Sequence, residues 1–169
     1  MNTSNKKNIV IKIGTTSIIK NGKVDPALLE SMVGLIKKFK NQYNFVIVTS
    51  GAVGLGASKL NYKTRPKSLK RLQVASAVGQ IELINQYEKI FNDQNLNVAQ
   101  VLITKNLIDD REQFINTTQA LNELLLQGII PVINENDVVA TEELKFGDND
   151  RLSAIVSIIV NAAKLIIIT

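Results

Sequence analysis

"FVIVTSGAVGLG", residues 45 to 56, runs from unbroken β-branched and aromatic residues into a glycine-rich turn. A strand with one face in water alternates apolar and polar residues, whereas one covered on both faces does not. Residues 45–50 therefore read as a strand inside a parallel sheet, with a helix beginning near Ala52. Four more runs have the same character: "NIVIKI" (8–13), "VAQVLIT" (98–104), "IIPVIN" (129–134) and "KLIIIT" (164–169).

Helical patterns separate these runs. Between Asp25 and Lys40, Asp25 can cap a helix and Pro26 fits its first turn. Leu28, Leu29, Met32, Val33, Leu35, Ile36 and Phe39 then make its apolar face. A second helical region covers 68–92 with Gly79 interrupting it, and a third covers 111–126 with Gly128 as its C-cap. A fourth starts at Asp150 and carries "LSAIVSIIVNAA" (152–163), apolar on nearly all sides and so expected to be deeply buried. This alternation of strand and helix predicts an open α/β sheet with right-handed crossovers, in one domain spanning 1–169.

Composition narrows the chemistry. The chain contains neither Cys nor His, which removes disulfides, the usual zinc sites and Ser-His-Asp catalysis. Any reaction must rest on Lys, Asp, Asn, Ser, Thr and backbone amides. The net charge of +5 raises nucleic acid as a partner, but the lysines are dispersed and only 5% of residues are aromatic, so no stacking platform stands out. No apolar stretch matches a signal peptide or a membrane span, which makes the cytoplasm the expected location.

In open α/β sheets, ligands sit outside the carboxyl ends of the strands. Three polar or glycine-rich segments follow such ends here. Lys12 lies in an apolar run, where an unpaired ammonium is expensive, so it either snorkels to water or faces an anion. Gly14, Thr15 and Thr16 after it are small enough to clear space for phosphate. "TSGAVGLG" either serves a tight turn or offers the amides of a helix N-terminus to an anion; it fits neither the Walker nor the dinucleotide glycine pattern. The third segment, "INENDVVATEELKFGDND" (133–150), reads as a short hairpin whose two ends carry Asn134, Asn136, Asp137, Asp148, Asn149 and Asp150. Caps and turns account for one or two of these, not for so many at both ends. Carboxylates that take an ammonium, beside amides that take a carboxylate, suit a zwitterion.

"VIKIGTTSI" (10–18), "VTSGAVGLG" (48–56), "ASAVGQ" (75–80), "DDREQFIN" (109–116), "PVINENDVVAT" (131–141) and "FGDNDRLSA" (146–154) together resemble the amino acid kinase family. The last two are the most specific. The resemblance implies an αβα sandwich with a mainly parallel sheet, as in carbamate kinase-like folds. Within the family it points to members that use ATP to phosphorylate the γ-carboxylate of L-glutamate, the first step of proline biosynthesis. By that likeness Lys12 and Asp150 are catalytic. Ser50, Gly51, Ala52, Asn134, Asp137, Asp148 and Asn149 hold glutamate, and Lys12, Gly14, Thr15 and Thr169 lie on the ATP side. Mg²⁺ arrives with the nucleotide rather than on a protein metal site.

Family members continue past the fifth strand into a nucleotide-binding half, and some carry an RNA-binding domain beyond it. Residues 1–169 therefore correspond to the glutamate-binding N-terminal portion, with "KLIIIT" left as an exposed edge and activity of this chain alone impaired. The resemblance also implies a homo-oligomer in the full-length enzyme and proline as a feedback inhibitor. Rival readings are a relative acting on acetylglutamate, aspartate or carbamate, a non-catalytic binder of glutamate or proline, and a basic RNA-binding module. The basic stretch "SKLNYKTRPKSLKR" (58–71) reads first as a solvated loop, and second as a segment beside the pocket that tunes substrate choice or inhibition.

Overall fold

The computed structural model describes residues 6–139 and 149–169. In chain order the elements are β1 (Lys7–Ile13), α1 (Thr15–Ile18), β2 (Ile19–Lys20), β3 (Lys23–Val24), α2 (Pro26–Phe39), β4 (Tyr43–Val48), α3 (Ala52–Lys59), α4 (Leu69–Asn92), β5 (Val98–Ile103), α5 (Arg111–Leu126), β6 (Ile130–Glu135), α6 (Asn149–Ile159) and β7 (Ala162–Ile168). Short 3₁₀ turns cover Lys105–Asp109 and Asp137–Val139.

Five strands form one sheet in the order β5-β6-β4-β1-β7, and every pairing in it is parallel. Parallel pairing sends all five carboxyl ends to the same edge. The period of two along each strand then divides the core. Ile9, Ile11 and Ile13 of β1, Phe45 and Ile47 of β4, and Ile130 and Val132 of β6 pack with α2 and α4. Val10, Val46, Val48 and Ile133 face the opposite way, onto Leu121 and Leu125 of α5 and Leu152, Ile155, Val156 and Ile159 of α6. The result is the αβα sandwich expected from the sequence.

The α2 cap forms as read. The Asp25 side chain accepts from the Ala27 amide, and Pro26 occupies the first turn. A hydrogen bond from Lys20 is the main reason the Asp25 carboxyl sits below its ordinary range. Gly34 lies in the middle of this helix, where an added Cβ would meet nothing within 4 Å. Gly34→Ala is therefore expected to raise stability by about 0.5–1 kcal/mol, read as a higher urea midpoint at unchanged m-value.

Several expectations are corrected. Thr49 and Ser50 lie just beyond β4 rather than inside it. Gly79 does not interrupt α4, which runs unbroken for 24 residues. The β2–β3 hairpin, too short to leave a periodic signal, was not expected. Burial on both faces holds for the central strands but not for the edge β5, which is only partly buried, while β7 is exposed along most of its length, as expected of it. α6 is buried on one face only, with Ile158 74% exposed. Within the segment read as a hairpin, Asp137–Val139 is a 3₁₀ turn, and residues 140–148 lie outside the described residues.

Candidate functional site

Strands β1, β4 and β6 are neighbours at the sheet centre, and the polar segments of the sequence follow their carboxyl ends. Lys12 shares its side of β1 with Val10, so its stem runs toward α6. There its Nζ pairs with Asp150 Oδ1 at 2.7 Å. The lysine side chain is 9% exposed and the aspartate 59%, so the ammonium is shielded while its counter-ion stays open. Of the two readings of Lys12, the structure favours an ammonium facing an anion.

After β1, Gly14 leaves free space beside this pair. A Cβ there would lie 3.6 Å from Lys12 Nζ, 3.4 Å from the Ile168 carbonyl oxygen and 3.7 Å from the Thr169 Cα. After β4, Gly51 adopts φ +106°, and a Cβ would sit 2.9 Å from Ile19 Cγ1. Left-handed backbone and crowding together require glycine at that position. Helix α3 then starts without a side-chain cap, which leaves its first amides open to an anion.

Asn149, at the start of α6, ties the pieces together. Its amide nitrogen donates to the Thr49 carbonyl, to Ser50 Oγ at 3.1 Å and to Asn134 Oδ1 at 2.9 Å. Two hydrogens serve three acceptors, so at least one hydrogen bond is shared. Asn149 Oδ1 is buried with no hydrogen-bond partner among the described residues. A buried acceptor in that condition costs about 1–3 kcal/mol until a donor reaches it, and an ammonium is such a donor.

Helix α4 supports the floor. Gln80 Oε1 accepts from Asn134 Nδ2 at 2.8 Å, and Ser76 Oγ donates to Asp137 Oδ2 at 2.6 Å. Tyr87 donates to Thr49 Oγ1 at 3.0 Å, and burial pushes its phenol up, so it remains a donor across the ordinary pH range. These three α4 residues were not expected from sequence as site residues. In "ASAVGQ" (75–80) Ser76, Gly79 and Gln80 put a small and polar stripe at spacings of three and four on a helix, a pattern that does not by itself mark a site.

The network borders a cavity of about 370 Å³, within the size range of small-molecule pockets. Thr15, Ser50, Gly51, Ala52, Asn134, Asp137 and Asn149 line it, all expected from sequence. Lys12, Gly14, Asp150 and Thr169 gather beside it. Asp148 lies outside the described residues. The basic stretch is more than a solvated loop, because Ser58, Tyr62, Lys63, Thr64 and Arg65 line the same cavity.

Fold and site together define an α/β protein with a polar pocket at the carboxyl edge of its sheet. The chain belongs to the amino acid kinase family, whose family model matches residues 7–169. A glutamate 5-kinase from Prochlorococcus marinus (strain MIT 9301) is 48% identical over 167 residues, covering 96% of this chain and 46% of that protein. A glutamate 5-kinase from Caldanaerobacter subterraneus subsp. tengcongensis is 46% identical over 163 residues, covering 95% of this chain and 44% of that one. The chain thus spans about half the length of the curated relatives it matches. Among solved structures, carbamate kinase from Giardia lamblia bound to AMP-PNP superposes with a TM-score of 0.61 at 14% identity, covering 98% of this chain and 71% of that one. UMP kinase from Ureaplasma parvum gives 0.55 at 17%, covering 96% and 68%. These two show the shared fold.

Proposed function

We propose that this chain carries the acceptor-binding portion of a glutamate 5-kinase, which transfers the γ-phosphoryl group of ATP to the γ-carboxylate of L-glutamate. The observation that supports this most is the juxtaposition of the Lys12–Asp150 pair with a pocket lined by Asp137, Asn134 and Asn149. The names of the relatives supply the substrate identity.

The acceptor carboxylate is already an anion at neutral pH, so it attacks phosphorus without a general base, consistent with a chain that lacks histidine. One of its oxygens forms the new P–O bond as the bond to the leaving ADP breaks, giving an acyl phosphate. The protein's part is positioning and charge stabilisation. Lys12 meets the negative charge on the transferring group, and Asp150 holds Lys12 in place. Gly14 and Thr15 leave room for the phosphates, and Asp137 with Asn149 Oδ1 takes the substrate ammonium. Mg²⁺ would come with the nucleotide and would supply neutralisation of its phosphates. Among the described residues no group of three or more His, Cys, Asp or Glu is placed to hold a metal alone.

The test is hydroxylamine trapping of acyl phosphate from a panel of glutamate, acetylglutamate, aspartate and carbamate with ATP, on the chain completed with a nucleotide-binding half. Glutamate should be the favoured acceptor, and preference for any other overturns the reading. Ligand-dependent stabilisation by glutamate with no turnover would instead favour a binding module. Within this reading, Asp137→Asn removes the charge that meets the ammonium while keeping a partner for Ser76. Glutamate Kd is expected to rise about 10- to 100-fold by calorimetry, the usual effect of losing one charged hydrogen bond.

A further inference from the structure

We infer that Lys63 and Arg65 are specificity-determining residues that read the α-carboxylate of the acceptor, restricting the pocket to amino acids with that group ionised. This rests on the reading of the cavity as an acidic amino acid site and goes beyond it.

From Ser31 to Ile81 the chain contains no acidic residue. The six cations of residues 58–71 therefore have no counter-ion on their own segment. Among them only Lys63 and Arg65 line the cavity; Lys59, Lys67, Lys70 and Arg71 do not. Neither Lys63 nor Arg65 pairs with an acid among the described residues.

The segment that presents them is anchored at both ends. The Leu60 and Tyr62 amides donate to the Gly56 and Ala57 carbonyls at the end of α3. Leu60, Tyr62 and Leu72 pack on Val53, Ala57 and Ala75. Arg71 lies over the Tyr62 ring, 5.9 Å from its centroid. Pro66 stiffens the span between these anchors. The two cations thus sit exposed at the rim, on a span held at both ends.

Charge balance says what they do there. A dicarboxylic amino acid brings two carboxylates and one ammonium. Its γ-carboxylate must reach Lys12 to react, and its ammonium belongs with Asp137. The α-carboxylate then has the open amides of α3 and the rim cations available to it. Among the described lining residues Asp137 is the one acid, and without Lys63 and Arg65 it would leave them net negative and repel that group. With the two cations the described lining is net positive.

The experiment measures binding to the full chain by calorimetry, using L-glutamate and its α-amide, in which an uncharged carboxamide replaces the α-carboxylate. The unaltered chain should prefer glutamate. The pair Lys63→Gln and Arg65→Gln should weaken glutamate binding about 10- to 100-fold and leave the α-amide within about twofold, the scale of a lost surface charge without direct contact. Lys67→Gln with Lys70→Gln removes the same charge outside the cavity and should stay within about twofold for both ligands. Equal losses for the two ligands, no loss at all, or the same loss from the control pair would overturn the inference while leaving the pocket assignment standing. No glutamate binding by the unaltered chain would overturn the pocket assignment, and the inference with it.

Discussion

Asp150→Ala, in a kinase completed with a nucleotide-binding half, is expected to lower acyl phosphate formation about a hundred- to a thousandfold while glutamate-dependent thermal stabilisation persists. The separation follows from geometry. Asp150 touches Lys12 at 2.7 Å but does not line the cavity that holds Asp137, Asn134 and Asn149. Removing it frees Lys12 to swing away from the transferring group. Loss of one preorganised charge at a developing anion typically costs about two to three powers of ten. The stability cost should be much smaller, about 1–2 kcal/mol, because the aspartate is more than half exposed and the lysine can follow water outward. Single-turnover rates and melting shifts on the same variant check both halves. A variant that keeps its turnover but no longer responds to glutamate would reverse the roles given to Asp150 and Asp137.

Sheet, layers and most helices were legible because burial on two faces leaves unbroken apolar runs, and these are the strongest signal a sequence carries. "NIVIKI", "FVIVTS" and "IIPVIN" mark β1, β4 and β6, each within two residues of its observed bounds. Edge strands carry the same kind of run, and the exposure of β7 along most of its length was expected from the family resemblance rather than from its residues. Residue type alone does not tell which strand has a neighbour on each side. The candidate site was legible where the residues themselves are unusual, as with Lys12 in an apolar strand or the Asn and Asp residues at the end of β6 and beyond it. It was not legible where ordinary helical polar residues act by position. Ser76, Gln80 and Tyr87 become partners of Asp137, Asn134 and Thr49 only through the packing of α4 under the strand ends. The charge of Lys63 and Arg65 was plain, but their place on the cavity depended on how α3 and α4 are tied together.

That tie tolerates no added atom at its two glycines. Gly79→Ala should lower stability by about 3–5 kcal/mol, at the extreme of single substitutions, and remove glutamate binding with it. A Cβ on Gly79 would lie 1.9 Å from the Ala52 carbonyl oxygen and 2.4 Å from the Gly56 nitrogen. One on Gly56 would lie 1.7 Å from the Ala75 carbonyl oxygen. Both obstacles are backbone, so no rotamer change relieves them, and the helices must separate. Separation displaces Ala52 and Gly51 at the pocket wall, and Ser76 and Gln80 beneath Asp137 and Asn134. The apparent interruption of a helix by Gly79 is therefore the reason that helix can approach α3 at all. Intrinsic propensity runs the other way, since alanine in mid-helix gains about 0.5–1 kcal/mol over glycine. Urea unfolding decides between the two effects, with Gly34→Ala as the open-space reference: opposite signs at Gly34 and Gly79 are expected, and equal gains at both would show that α3 and α4 do not cross through these glycines.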